Sequence, residues 1–271
     1  MTIITRDQLI SAMGNNTDRQ VINKASLANA VAGQVFSLWQ SAGTPGAGAI
    51  PTTAAVCTSA LTGSFGLVNQ TAPATSYLGF MALQGSISPT NVEVHDRLVH
   101  MGGLSGTVTT AQGALSLVTT APSAARIGDT NYDEVQWWLE IYTALGATGV
   151  NATVAVTYDD ASTGNLTAFA LGATPRAGRL YPLIPAVAGR FIRSVNSVTL
   201  SATTGTAGNF GITATRARTS VSIPLLNKTE NFDWAILGFP EISNDSCLML
   251  LMTCSTTSTG TILGMSKILH G

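Results

Sequence analysis

Charge is what this chain has least of. Only 10% of its 271 residues are Asp, Glu, Lys or Arg, against about a quarter in an ordinary soluble domain. Thirteen basic and fourteen acidic residues leave a net charge of −1, so no basic field supports dedicated nucleic-acid binding. Cysteine is equally sparse. Cys57, Cys247 and Cys254 are an odd set of three, which does not build a secreted disulfide framework and fits a reducing compartment. Long apolar runs are missing too. The most apolar stretch, Cys247 to Met252, falls far short of the ~18 residues that span a bilayer. The opening Met1-Thr-Ile-Ile-Thr-Arg6-Asp7 reaches charge before a signal-peptide core can form. These absences point to a protein made and kept in the cytosol, without a membrane partner.

Ala, Gly, Thr, Ser and Val take the place of charge, with 27 glycines. A free monomer keeps itself soluble with charge, so a surface this poor in it is expected to be covered by other subunits. Residues 1–42 read as a helical N-terminal arm. Thr5-Arg6-Asp7-Gln8 has capping-box spacing and opens a short helix ending at Gly14. Thr17 or Asp18 then caps a longer helix to about Ser41, stopped by Gly43 and Pro45. Val21, Ala25, Ala28, Ala32, Val35 and Trp39 fall at spacings of three and four and form one stripe. That stripe packs either on its own domain or on a neighbouring subunit. On the second reading Val21, Val31, Val35 and Trp39 are arm contacts.

Residues 43–56, dense in Gly and Pro, read as a connector or extended arm. Residues 57–271 read as a β-sandwich domain, with room for two β subdomains. Short runs rich in Val, Thr, Ile and Tyr recur there between Gly, Asn, Asp and Pro. Val154 and Val156 alternate with Thr153, Ala155 and Thr157, and Val198 and Leu200 alternate with Thr199 and Ser201. Asp159 to Asn165 sits between two such runs as a hairpin loop. Strands at short spacing without intervening helices favour a sandwich or barrel over a parallel α/β sheet.

Catalytic and metal patterns fail on spacing. His95 and His100, five apart on a strand, point to opposite faces and do not share a metal; with Asp96 and Arg97 they read as structural residues. Cys247 and Cys254, seven apart, also have opposite parity, and read as buried thiols. Gly102-Gly-Leu-Ser105-Gly106 lacks the spacing of a serine elbow. Gly205-Thr-Ala-Gly208-Asn-Phe-Gly211 is not a phosphate-binding fingerprint, and reads as a hairpin tip. Asp133, Glu134, Glu140, Asp159 and Asp160 share one β region, where two carboxylates flanking a glycosidic bond make a hydrolase. Turn and strand-end placement is the ordinary explanation. Arg176, Arg179, Arg190, Arg193, Arg216 and Arg218 suit solvated strand ends or inter-subunit pairing; Arg190 and Arg193 are taken as candidate interface residues. Trp137 and Trp138 are expected to face opposite ways, leaving Trp138 for a subunit contact or a sugar. No cofactor, metal site or catalytic residue is expected.

Three strings add a resemblance: Ser37-Leu38-Trp39, Gly43-x-Pro45-Gly46-Ala47-Gly48-Ala49-Ile50-Pro51, and His95-Asp96-Arg97-Leu98-x-His100-Met101-Gly102-Gly103-Leu104-Ser105-Gly106-Thr107-Val108-Thr109-Thr110-Ala111-Gln112. Over roughly residues 37–118 the chain resembles structural proteins of tailed bacteriophage virions. The resemblance implies a head-associated component, such as a capsid decoration (cement) protein or a capsid shell subunit, made in the host cytosol. It transfers no catalytic residue. The expectation is a mostly β, jelly-roll-like sandwich with a helical arm, acting as a homo-oligomer, plausibly a trimer, on a phage major capsid protein or neighbouring virion proteins. A host-binding tail or fibre module is the other expectation.

Overall fold

Alternating burial along antiparallel strands organises nearly the whole chain. In the computed structural model, which describes residues 3–14, 18–27, 30–87 and 90–271, two compact units form. Both are interleaved in sequence. The first comprises Met1–Ala49, Thr58–Asp96 and Arg218–Gly271; the second comprises Ile50–Cys57 and Arg97–Ala217. These bounds differ from those expected for an arm (1–42), a connector (43–56) and a β domain (57–271) with room for two β subdomains. Two long strands, Thr90–Leu104 and Asn209–Ile223, run from one unit into the other.

In the first unit Ile262–His270 lies at the centre of an antiparallel sheet, with Ser76–Gly85 on one side and Arg19–Lys24 on the other. Glu230–Asp233 and Glu241–Ile242 extend it along Ser76–Gly85. Alternation sets the faces: Ile22 and Lys24 are buried while Val21 and Asn23 are exposed. Leu248–Thr253 pairs with Val35–Ser37 and with the early part of Thr90–Leu104. Its five consecutive buried residues, Leu248 to Met252, mark a strand covered on both faces. Ile22, Met81, Leu83, Val92, Val94, Leu250 and Ile268 belong to one core.

The short helix forms as its capping box requires. Arg6–Gly14 is helical; Gln8 N–H donates to Thr5 Oγ1 (3.3 Å), and Gln8 Oε1 accepts from the Thr5 and Ile4 amides (3.0 and 2.8 Å). The longer helix does not form. Strands occupy Arg19–Lys24 and Val35–Ser37, and Gly33 between them has φ +75°, a conformation that ends any helix. The β-branched Val21, Ile22 and Val35 favour extended backbone, so the three-and-four spacing of the stripe is coincidental. Thr17 and Ala28 of that reading lie outside the described residues.

Trp39 is likewise no arm contact, being 1% exposed. A Cβ on Gly48 would sit 2.1 Å from its ring, and one on Gly63 would sit 2.6 Å away. Only hydrogen in place of two side chains lets the ring fit. Its indole N–H donates to the Ala49 carbonyl (3.1 Å). The neighbouring Gly/Pro-rich stretch is clamped too, because the Lys24 ammonium donates to the carbonyls of Ser41 (2.7 Å), Pro45 (2.9 Å) and Gly46 (3.4 Å). This stretch begins as a short strand, Gly43–Thr44, paired with Asn23 and Lys24.

In the second unit one antiparallel sheet runs Thr163–Asn165, Val150–Tyr158, Ile192–Leu200, Leu115–Ser116, with Phe169–Gly172 also on Val150–Tyr158. The expected hairpin is there, closing Val150–Tyr158 onto Thr163–Asn165 across Asp159–Ser162. Across the core Val135–Thr143 pairs with Asn209–Arg216 and with Arg179–Pro182. Trp137, Leu139, Ile141, Val154, Val156, Val198, Phe210 and Ile212 meet there in one cluster. Gly205 and Gly208 take positive φ, but they join a strand of one sheet to a strand of the other and are not a hairpin tip. Phe232–Leu237, expected as strand, divides into a strand ending at Asp233 and a short helix, Trp234–Leu237, capped by the Asp233 carboxylate.

Candidate functional site

The second unit places a polar cluster on the side of Val135–Thr143 opposite its apolar core. Alternation sends Trp137, Leu139 and Ile141 into the core and Trp138, Glu140 and Tyr142 the other way. Arg97, wholly buried, donates from Nη2 to Glu140 Oε2 (2.7 Å), Tyr142 OH (2.8 Å) and Thr213 Oγ1 (3.1 Å). Thr213 in turn donates to Glu140 Oε2 (2.6 Å). Burial is the largest influence on Arg97 and opposes its charge, yet the Glu140 carboxylate reverses the balance and raises its pKa. Tyr142 is raised by burial first and by the Glu140 charge second.

From Nε, Arg97 donates to His100 Nδ1 (3.1 Å). The imidazole is therefore an acceptor on that side, and neutral. Burial and then the Arg97 charge push its pKa down to about 3. Arg126, also buried, donates to the carbonyls of Cys57 (2.7 Å) and Arg97 (2.9 Å). Each charge in the cluster is neutralised or bonded, which is how buried ions are tolerated. Its chemistry is cohesive. The local string marked Arg97 as a structural residue, and no local signal foretold Glu140, 43 positions away.

The other sequence candidates scatter. His95 is buried and pairs with Glu93 (2.9 Å); this bond lowers the Glu93 pKa. Cys247 and Cys254 are buried thiols, as expected, Cys57 is buried too, and burial lifts Cys254 to about 11. Asp159 and Asp160 both pair with Arg190 (3.4 and 2.6 Å), and Glu134 pairs with Arg216. Of the carboxylates once grouped together, Glu140 alone is buried. Among the described residues no three His, Cys, Asp or Glu side chains are placed to hold a metal, and no helix is long and apolar enough to cross a membrane.

The predicted interface residues divide between the units. Val21 is 53% exposed on the outer face of the first unit's sheet, Val31 is 37% exposed, and Val35 is half-buried. In the second unit Arg190 is engaged by its two aspartates and Arg193 is half-buried. Trp138 is a correction. It is 8% exposed, and its indole N–H donates to Thr215 Oγ1 (2.9 Å), so both tryptophans of the pair are inside and Trp138 presents no ring to a sugar or subunit.

Exposed apolar side chains that the sequence reading passed over include Ile4, Leu225, Leu226, Trp234 and Ile236 in the first unit and Val118, Ile184 and Val187 in the second. Trp234 meets Phe239 edge-on and Phe239 stacks on Tyr77 at 4.5 Å. The signal for two of them was available: Pro224-Leu-Leu-Asn227 sets adjacent leucines in a turn.

No family model matches the chain, and no curated protein matches it. Among solved structures it is similar to the Gx strain of infectious bursal disease virus, at 10% identity over 93% of this chain and 79% of that one, with a TM-score of 0.18. T=1 particles derived from infectious bursal virus give 11% identity over 93% and 77% with the same TM-score. The VP2 subviral particle of infectious bursal disease virus gives 11% over 93% and 79%, with a TM-score of 0.17. These neighbours are viral capsid proteins, and such TM-scores are far below those of chains sharing a fold.

Proposed function

We propose that this chain is a virion structural protein that associates with copies of itself and decorates a phage head. The supporting observation is a surface poor in charge that leaves large apolar side chains in water. Leu225, Leu226 and Ile236 are each more than half exposed, and Val21 joins them. Apolar area covered on association contributes about 25 cal/mol per Å², and cyclic symmetry repeats the contact in each subunit. The resemblance of residues 37–118 to tailed-phage structural proteins supplies the setting: synthesis in the host cytosol, residence in the virion and the major capsid protein as neighbour. On this reading the second unit is a jelly-roll-like sandwich and the oligomer a trimer. Its work on the capsid is adhesion.

Light scattering coupled to size-exclusion chromatography tests this. A trimer that persists on dilution is the expected result. A monomer at micromolar concentration refutes the proposal, and large particles formed by the chain alone shift it to a shell subunit.

A further inference from the structure

The first unit contains a chain of three groups that neither its core nor its surface explains. Ser76 opens the strand Ser76–Gly85, and its register partner across the sheet is His270. Ser76 Oγ lies 2.9 Å from His270 Nδ1. On the far side of the ring, His270 Nε2 lies 2.5 Å from Asp18 Oδ2. Asp18 is anchored in its turn: the same oxygen accepts from the Val68 amide (3.2 Å), and the Asp18 carbonyl accepts from the Ile268 amide (3.3 Å).

Hydroxyl, imidazole and carboxylate in this order are the requirements for activating a serine: a base within hydrogen-bond reach, and a third group fixing its tautomer. With Nε2–H donating to Asp18, Nδ1 carries the lone pair and faces the hydroxyl. The two ring nitrogens thus exchange their customary roles, which leaves the proton path intact. Burial is graded along the chain. Ser76 is 2% exposed and the Asp18 side chain 2%, whereas the His270 side chain is 14% exposed. Of the three groups the ring is the one open to solvent, so a reagent approaches from its side.

We propose that Ser76 is an activated nucleophile, with His270 as general base and Asp18 as the residue that positions it, open to small acyl or phosphoryl donors. With an ester, Ser76 Oγ bonds to the carbonyl carbon and its proton passes to His270 Nδ1. The C–O bond to the alcohol breaks, and the leaving oxygen takes that proton. Water, deprotonated by the same nitrogen, then splits the acyl-serine to carboxylic acid and free Ser76. With a dialkyl fluorophosphate the O–P bond forms, the P–F bond breaks and fluoride departs with the electron pair, leaving a stable adduct.

The test treats the full chain with diisopropyl fluorophosphate and maps the adduct by peptide mass spectrometry. Expected is labelling at Ser76, absent in Ser76→Ala and slowed about 10²-fold or more in His270→Gln and Asp18→Asn, the scale of a lost general base. Labelling of native against urea-unfolded wild-type chain keeps the test independent of how the variants fold: the native serine is expected to react faster. No adduct on native Ser76, a native rate no greater than the unfolded one, or an unchanged rate in a folded His270→Gln chain overturns the proposal and leaves the three groups as a structural tie.

Discussion

Acid should loosen the second unit through His100. Its Nδ1 accepts from Arg97 Nε, so protonation removes the acceptor, turns N–H toward N–H and sets a second positive charge beside a buried guanidinium. The folded chain resists that proton, holding the pKa at about 3, against 6.5 for the free side chain. Between these values the unfolded chain binds the proton and the folded chain does not, so stability falls as pH falls. The gap corresponds to at most about 5 kcal/mol, present above pH ~6.5 and lost progressively toward pH ~3. A domain holds only about 5–15 kcal/mol in total, which makes this one ring a large part of the chain's acid sensitivity. Urea denaturation from pH 3.5 to 7.5 on wild type and His100→Asn reads it; Asn keeps an acceptor and does not titrate. Carboxylates such as Glu93 also lose stabilising contacts in acid, and the difference between the two profiles removes their share. Wild type should lose stability more steeply than the variant below about pH 6. Parallel profiles would refute the assignment of a neutral, acceptor imidazole.

Glu140→Gln should lower unfolding free energy by about 3–5 kcal/mol, because it strands the Arg97 charge in the interior; chemical denaturation checks it. Gly63→Ala should cost about 1–3 kcal/mol by forcing the Trp39 ring from its slot, with a shift in tryptophan emission as the second readout. Lys24, whose pKa burial lowers from 10.5 to about 8, should make stability rise with pH between those values, since there the unfolded chain binds the proton that the folded one has released; Lys24→Met should flatten that rise. Leu226→Asp should shift the oligomer toward monomer by light scattering while leaving the melting temperature of the dissociated chain nearly unchanged.

Local rules made parts of this molecule readable in advance. The Thr5–Gln8 box and the Asp159–Asn165 hairpin depend on residues only a few positions apart, and the strands from Val150 to Leu200 advertise themselves by alternation. Residues 18–41 misled because small and β-branched residues satisfied a helical spacing while Gly33 and the long-range pairing of Arg19–Lys24 with Ile262–His270 decided otherwise. Trp138 misled for a related reason. Parity correctly separates it from Trp137, but it does not say that a strand's second face is also covered. The Arg97 cluster, assembled from Glu140, Tyr142 and Thr213, and the Asp18–His270–Ser76 chain join positions far apart in sequence. Topology brings them together, and no window of sequence contains them.

The two long strands that belong to both units impose an order of construction. Once Ala217 has left the ribosome, all of Ile50–Cys57 and Arg97–Ala217 exists, and the second unit has every residue of its core. The first unit does not. Its central strand, Ile262–His270, is made after all of these, so the inner edges of Arg19–Lys24 and Ser76–Gly85 that it joins wait for it. Until then those edges stay open during synthesis, the state in which misassembly begins. Loss of Ile262–His270 would remove the keystone of a unit that also holds Arg19–Lys24.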